Sequence, residues 1–447
     1  MEQKNFYKTF FRIYIALVLQ QMISLSVNLA DNVMLGAYSE TALSGVAAIN
    51  QIQFIFHQIV NALGDGIVIL GSQYWGKKQI EPVKKVIAIA MRLAVMVSLV
   101  LFVLVSIFPI QAVSIFTTDS VIIAQGTEYL KIIRFTYLIF AVTMILLASL
   151  RTVEIVNIAF YLSISTLVIN CGINYVLIYG RFGAPQMGAA GAAIGTLTAR
   201  IVECIVVIWY VWKKEDKLQI KLKDFAVINK ELNKDYYKVT FPIVLIQGLW
   251  GANTAMQTVI LGHMTASAIA ANSVASNLYM MMKAMAIGAA STASIMIGKA
   301  IGMGNMKIVE LYSKRLQKIF VVIGVAAGII LYFVRTPILN LYELSDVTRE
   351  MADTFLVILS VIIVFMSYQM ATNTGIVRGG GSSLFVMKVD IISIWGIVIP
   401  LSLFMAFVVK ASPIVVVCCL NADQVFKCIP AFIKVNYGHW AKKLTRT

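Results

Sequence analysis

The chain has 447 residues, of which 60% are hydrophobic and 13% are charged, and its formal net charge is +16. Soluble domains carry about 25% charged residues, so this composition excludes a soluble protein and indicates an integral membrane protein. Apolar stretches of about 20 residues, enough to cross a ~30 Å hydrocarbon core as a helix, recur along the chain. We predict an all-α membrane protein with twelve transmembrane helices, at residues 13–36, 44–71, 86–111, 127–150, 156–180, 188–212, 239–262, 269–297, 317–339, 351–376, 384–409 and 412–436.

The first predicted span ends in SLSVNLADNVMLG, which places Asn28 and Asp31 close to the end of an apolar run. The two residues are three positions apart, so they share one face of a helix. An ionisable side chain inside a membrane is costly and is by default a functional-site hypothesis. The run is longer than the apolar region of a signal peptide and lacks a small-residue cleavage site, so we expect it to remain in the mature protein.

The second span contains Asp65 and ends in GSQYWGKK. Asp65 either reaches a central cavity or lies near the cytoplasmic interface. GSQYWGKK differs from a nucleotide-binding P-loop, because Lys78 stands where Ser or Thr is needed and no strand precedes it. Metalloprotease and hydrolase motifs are missing too, so we predict that the protein is not an enzyme, has no cofactor and uses an ion gradient.

Spans five and six carry neutral polar residues. Asn170 and Asn174 are four positions apart, and Thr196 follows the Gly/Ala run GAAGAAIG, which lets neighbouring helices approach closely. If these faces meet those of Asn28 and Asp31, one carboxylate is surrounded by neutral oxygen ligands, which suits a proton or a sodium ion. The alternative is that the Asn and Thr side chains only form hydrogen bonds between helices.

A charged connection at residues 213–238 separates two groups of six spans. We predict an N-terminal lobe (1–212), a basic cytoplasmic linker (213–238) and a C-terminal lobe (239–447). A shift of 226 positions aligns NVMLGAYSETALSG with TVILGHMTASAIAA without a gap, and pairs Gly76 with Gly302. Six spans is an even number, so the lobes are parallel repeats, an architecture that binds substrates between its halves.

The repeat is unequal at the polar positions. Asp31 falls on Gln257 under the same shift, so the carboxylate belongs to the N-terminal half alone. Spans seven and eight instead carry Trp250, Tyr279 and a methionine cluster that includes Met282. Thioethers and aromatic faces suit amphipathic or cationic ligands, although core or lipid-facing packing explains them equally well. Our predicted substrate cavity contains Asp65, Trp250, Gln257, Tyr279 and Met282.

Three further acids in predicted spans are candidate functional residues, Glu203, Asp390 and Asp423. Glu203 has Arg200 three positions before it, which favours a structural ion pair. Asp390 is predicted to be structural as well. Asp423 either faces a cavity or lies at the membrane interface.

Basic residues concentrate on one side of the membrane. Lys8 and Arg12 precede the first span and Lys77 and Lys78 follow the second, whereas opposite loops such as FTTDSVIIAQ are nearly free of them. The positive-inside rule makes that basic side cytoplasmic and places both termini there. The positive charge therefore indicates a lipid bilayer, here the plasma membrane, and not nucleic acid as the partner.

The motifs ADNVMLG, GSQYWGKK, INCGINYVLIYG with GAAGAAIGT, TVILGHM and VRGGGSS…WGIVIP resemble, in order and spacing, those of multidrug and toxic compound extrusion (MATE) transporters. The resemblance covers nearly the whole chain and implies a V-shaped pair of six-helix lobes. Separately, we expect the protein to be a monomer. It also implies export of organic cations or drugs in exchange for sodium ions or protons. Asp31 matches the central acid of the family's cation site, and Asn170 and Thr196 match its neutral ligands. A second acid of that site is Asn174 here.

Two departures from the family pattern matter. The branch that uses acids of the C-terminal lobe has Glu and Asp where this chain has Trp250 and Ser382, so coupling there is not expected. The repeat position of Pro242 is Ala16, so the first helix is not expected to bend at a proline.

Two alternatives to an exporter stay open. A flippase for a lipid-linked precursor, from the same wider superfamily, needs basic cavity residues, for which Lys283 and Arg200 are the main candidates. A membrane-embedded enzyme or scaffold is the other, and the sequence shows no catalytic constellation for the former.

Overall fold

The computed structural model describes residues 2–226, 229–340 and 344–446. All regular structure in this part of the chain is helical. The α-helices are α1 (Glu2–Tyr38), α2 (Glu40–Gly76), α3 (Ile80–Ile107), α4 (Pro109–Ser114), α5 (Ser120–Ile133), α6 (Phe135–Thr152), α7 (Asn157–Tyr179), α8 (Gly188–Lys213), α9 (Lys230–Gly262), α10 (Ala266–Gly302), α11 (Met306–Leu339), α12 (Asp346–Met370), α13 (Ser383–Asp390), α14 (Ile399–Leu403), α15 (Pro413–Leu420), α16 (Ala422–Phe426) and α17 (Cys428–Tyr437).

Twelve helical segments in the described residues are long and apolar enough to cross a membrane. Each corresponds to one predicted span, so the twelve-span, all-α prediction is confirmed. The start of the fourth span is corrected from 127 to Phe135, because a turn at Arg134 separates α5 from α6. The Arg134 guanidinium lies over the rings of Phe102 and Phe135, 5.7 and 5.2 Å from their centroids.

The first span has no proline, as expected, and α1 is one helix from Glu2 to Tyr38. The later spans are less regular. Turns of π-helix occupy Ala371–Val377, Ile391–Val398 and Phe404–Val408, and the last span is interrupted at Asn421 and Lys427. Such π-helical turns are often found at functional sites.

The helices form two compact units. The unit called N-terminal here contains the described residues of 19–71 and 79–237, and the C-terminal unit contains those of 1–18, 72–78 and 238–447. Helices α1 and α2 therefore contribute residues to both.

Close helix contacts in each unit depend on small residues. In the N-terminal unit, a Cβ atom on Gly191 would lie 2.8 Å from the carbonyl carbon of Leu177, and one on Gly195 would overlap the Asn174 side chain. In the C-terminal unit, a Cβ on Gly324 would lie 2.9 Å from the carbonyl oxygen of Val364. These contacts bring α8 against α7 and α11 against α12, as small residues do in membrane helix pairs.

Candidate functional site

A chain of hydrogen bonds links three helices of the N-terminal unit at Asp31. Asn174 Nδ2 on α7 donates to Asp31 Oδ1 on α1 at 2.5 Å, and also approaches Asn170 Oδ1 at 3.3 Å. Asn170 Nδ2 in turn donates to Thr196 Oγ1 on α8 at 3.1 Å. The structure therefore brings together the predicted carboxylate and the three neutral polar residues. Their role as cation ligands stays a prediction.

Local sequence explains why these side chains converge. Asn170 and Asn174 lie one turn apart on α7, so both face α8 and α1. Gly195 on α8 has no side chain, which leaves the space that the Asn174 amide occupies. Both asparagines are buried, with at most 1% of their surface exposed.

A small cavity opens beside this cluster, lined by Asn28, Asp31, Asn170 and Thr196 among others. It leaves about 40 Å³ for the centres of water-sized molecules, and one water needs roughly 10–15 Å³ by that measure. The cavity therefore has room for an ion with a few waters. Asn174 is not among the lining residues, and its Oδ1, which is buried without a hydrogen-bond partner among the described residues, lies against Gly195 of α8.

A fixed positive charge also faces the cavity. Arg200 on α8 lines it, donates a hydrogen bond from Nη1 to Glu203 Oε2 at 2.7 Å, and lies 5.3 Å from the centroid of the Phe140 ring. The predicted Arg200–Glu203 ion pair is thus confirmed. No base in the described part of the chain lies within ion-pair distance of Asp31, so Asp31 is the acid of this cavity that lacks a paired cation.

Sequence reasoning missed most of the other polar lining residues. Asn50, Gln53 and His57 on α2 all line the cavity, and His57 stacks on Phe140 with 3.8 Å between ring centroids. Their spacing of three and four residues was the available signal, because it places them on one helix face. Arg200 was predicted to pair with Glu203 and, in the flippase alternative, to line a cavity, and its side chain does both here.

The predicted substrate-cavity residues are not gathered at this site. Asp65 on α2 is absent from the lining of the Asp31 cavity and interacts electrostatically with Arg151. The other four lie in the C-terminal unit, Trp250 and Gln257 on α9 and Tyr279 and Met282 on α10. Their role in substrate binding stays a prediction.

Two of these residues also contribute to packing. Tyr279 and Met282 are partly buried against the apolar cluster that includes Leu331 and Phe355. Packing in the protein core therefore explains part of the role of Met282, which is the alternative to substrate binding given above.

The remaining predicted acids form an ion cluster in the C-terminal unit. Lys427 Nζ lies 2.9 Å from Asp390 Oδ1 and 2.8 Å from Asp423 Oδ2. Asp390 therefore has a structural partner, but it is Lys427 from the last span and not a neighbour on its own helix. No group of three or more His, Cys, Asp or Glu residues within the described ranges could hold a metal ion.

Comparison with known proteins agrees with this architecture. Residues 16–176 and 242–404 match the MatE family model. The two matches begin 226 residues apart, which is the shift that aligned the halves of the sequence. The chain therefore contains two MatE repeats.

Among curated proteins, the chain is 23% identical over 428 residues to "Probable multidrug resistance protein NorM" of Thermotoga maritima, covering 96% of this chain and 92% of that protein. It is 24% identical over 412 residues to the protein of the same name from Listeria monocytogenes, covering 90% and 88%.

Among solved structures, "Crystal structure of MATE in the straight conformation" superposes with a TM-score of 0.87 at 17% identity, covering 96% of this chain and 95% of that one. A MOP superfamily transporter from Pyrococcus furiosus, whose title reports reverse polarity of its binding pocket, gives 0.86 at 19% identity, covering 98% and 97%. These likenesses show the fold.

Proposed function

Because the chain belongs to the MatE family of multi-pass membrane transporters, which are not enzymes, we propose that it exports organic cations or drugs by antiport with a sodium ion or a proton. The observation that carries the proposal is the Asp31 cavity. It combines one carboxylate without a paired base, neutral amide and hydroxyl groups, and space for an ion. The family resemblance gives Asp31 the same role.

Coupling follows from the charge of this carboxylate. An unpaired ionised carboxylate within the membrane is costly, and a bound sodium ion or proton neutralises it. A lobe conformation that holds the ion tightly is favoured when the ion is bound, and a conformation that holds substrate tightly is favoured when it is released. The difference in affinity between the two conformations drives the exchange.

Names of the relatives support the substrate class, because those proteins are described as probable multidrug resistance proteins. The substrate cavity in this proposal includes Asp65, Trp250, Gln257, Tyr279 and Met282. Both termini lie in the cytoplasm, the membrane is the plasma membrane, and the monomer is the working unit.

The test is efflux of a fluorescent organic cation from proteoliposomes, with sodium and proton gradients imposed separately. We expect wild type to follow one gradient, and Asp31→Asn to lose at least about tenfold in gradient-driven efflux because the exchangeable charge is gone. Asp119→Asn is the matched control, since Asp119 caps α5 in a loop and the amide keeps the capping oxygen.

Efflux that persists in correctly inserted Asp31→Asn would contradict the assigned role of Asp31. Absence of dye transport under every gradient would contradict the exporter and favour the lipid-precursor flippase.

A further inference from the structure

In the C-terminal unit, Lys427, Asp390 and Asp423 form an ion cluster, and Lys283 lies near it without an ion pair. The Lys427 ammonium is within 2.9 Å of both Asp390 and Asp423, and Gln424 Nε2 donates a further hydrogen bond to Asp423 at 2.8 Å. Lys427 and Asp423 are buried, with side chains 4% and 5% exposed. Both carboxylates are therefore already engaged by donors from the last span.

Lys283 on α10 is a further cation that interacts electrostatically with this cluster. Its ammonium lies 4.7 Å from the centroid of the Trp250 ring on α9, a cation–π contact. No carboxylate of the described residues is within ion-pair distance of it, and Asp423 and Asp390 act on it only at longer range. Three N–H donors of an ammonium group thus have no anionic acceptor beside them.

A second unpaired donor lies one turn away on the same helix. Tyr279 precedes Lys283 by four residues, so the two side chains share a face of α10. The Tyr279 hydroxyl is buried and has no hydrogen-bond partner among the residues that the structure describes. A buried hydroxyl left without a hydrogen-bond partner is unfavourable, and an ammonium group without an anionic acceptor is not compensated in charge. This face of α10 therefore stabilises any acceptor that satisfies both groups.

We propose that Tyr279 and Lys283 bind an oxyanion of an amphipathic molecule, a carboxylate or a phosphate ester. The ammonium group complements the charge of such a group, and the tyrosine hydroxyl can donate a second hydrogen bond to it; both bonds are charge-assisted because the oxyanion is ionised. The apolar part of the molecule lies against Met282, which follows Tyr279 by three residues on α10 and is only partly buried.

This inference rests on the proposed export function and adds a negatively charged group to the substrates that the protein accepts. The oxyanion has two sources, a carboxylate on a drug-like substrate or the phosphate of a membrane lipid. Both satisfy the same donors, so the experiment contains one arm for each.

The first arm measures efflux from proteoliposomes of a rhodamine with a free carboxylate and of its methyl ester, which is a permanent cation. We expect Lys283→Met to lower the carboxylate-to-ester ratio of transport rates about tenfold, and Tyr279→Phe to lower it by a smaller factor. Lys283→Arg keeps the charge and the donors, and is expected to restore most of the ratio. Lys318→Met, which removes an exposed lysine of α11, is the matched control.

The second arm measures translocation of fluorescent phosphatidylglycerol and of fluorescent phosphatidylcholine in the same vesicles. A loss of phosphatidylglycerol translocation in Lys283→Met, with the dye ratio unchanged, assigns the site to a lipid phosphate. A fall in the dye ratio assigns it to a substrate carboxylate. Unchanged ratios in both arms, in a variant that elutes as a monodisperse protein, overturn the proposal.

Efflux of the ester separates this outcome from failure of the proposed function. If wild type transports neither dye, the exporter itself is refuted. If wild type transports the ester and Lys283→Met leaves both ratios at the wild-type value, the oxyanion site alone is refuted.

Discussion

Asn174 is the residue where this chain departs most from the cation site that its family resemblance implies. The resemblance places a second acid there, whereas the amide of Asn174 donates to Asp31 at 2.5 Å. The site therefore carries one negative charge instead of two. A single carboxylate with neutral oxygen ligands binds a monovalent cation without a surplus charge.

Asn174→Asp tests whether that single charge sets the cation affinity. Two carboxylates at hydrogen-bond distance repel each other, so the pair gains more from holding a cation between them. We expect the apparent affinity for the coupling ion to rise about tenfold, measured as the ion concentration that gives half-maximal efflux. Asn174→Ala, which removes the donor without adding charge, is the comparison. An equal affinity in both variants would show that position 174 does not face the ion.

Glu203→Gln tests the balance of charge in the same cavity. Arg200 lines the cavity and is paired with Glu203 at 2.7 Å, so loss of Glu203 leaves a positive charge uncompensated near Asp31. We expect a loss of about tenfold in ion affinity and a lower thermal stability, because an unpaired buried ion is unfavourable.

The double variant Glu203→Gln with Arg200→Gln removes both charges and is expected to recover most of the affinity. If the double variant binds the ion as poorly as the single one, the effect of Glu203 does not pass through Arg200. The readout is again the ion dependence of efflux.

At residue level, the polar cluster could be predicted in part. Asn28, Asp31, Asn170, Asn174 and Thr196 stood out because polar residues are rare within apolar runs. Residues that contribute by facing the cavity from α2 were less visible, because a helical spacing shows which side chains share a face and not what that face meets.

At the scale of helix pairs, the α7–α8 contact positions the candidate site. Gly195 of α8 lies directly against the Asn174 amide of α7, and a Cβ atom there would overlap Asn174 Oδ1. The small residues of GAAGAAIGT therefore both let α8 pack closely on α7 and set the position of Asn174 in the site.

Gly195→Ala is therefore expected to displace Asn174 from Asp31 and to reduce ion-driven efflux by about tenfold or more, since the added methyl group has no space. Gly172→Ala on α7 is the control, because a Cβ at that position meets nothing within 4 Å. The control should keep full efflux and gain up to about 1 kcal/mol of helix propensity. Thermal unfolding in detergent and efflux are measured together. Wild-type efflux in Gly195→Ala would show that Asn174 need not hold its observed position.

Hydropathy predicted the twelve spans because each is a long apolar segment, but it did not predict where helices break. The turn at Arg134 and the interruptions at Asn421 and Lys427 depend on local hydrogen bonds and on partners from other spans. An average over about 20 residues is insensitive to both. Asp423 precedes Lys427 by four residues in the same span, a spacing that the sequence shows, whereas Asp390 comes from a different span and no spacing within one helix reveals it.

At the scale of the whole molecule, internal duplication is the strongest organising feature. The ungapped shift of 226 residues agrees with the starts of the two MatE matches at 16 and 242. The two repeats share their fold but not their charged residues: Asp31 of the first corresponds to Gln257 in the second, and Lys283 has no lysine at its matching position in the first. Each half therefore offers different charges, a carboxylate in the first and an ammonium without a paired carboxylate in the second.

The even number of spans in each repeat and the distribution of basic residues together predict the topology. Thr118 lies in the loop between α4 and α5, and Asp216 lies after α8, and both are exposed. If the basic side is cytoplasmic, Thr118 faces the outside of the cell and Asp216 faces the cytoplasm. The five native cysteines, Cys171, Cys204, Cys418, Cys419 and Cys428, are all free and must first be replaced.

In that cysteine-free background, Thr118→Cys is expected to react with a membrane-impermeant maleimide on intact cells, and Asp216→Cys only after the membrane is permeabilised. The physical reason is that the charged reagent cannot cross the bilayer, so labelling reports the side on which each thiol lies. Labelling of both variants in detergent is the control for accessibility. If Asp216→Cys were labelled on intact cells and Thr118→Cys were not, the orientation would be inverted. The Asp31 cavity would then have to be assigned to transport in the opposite direction.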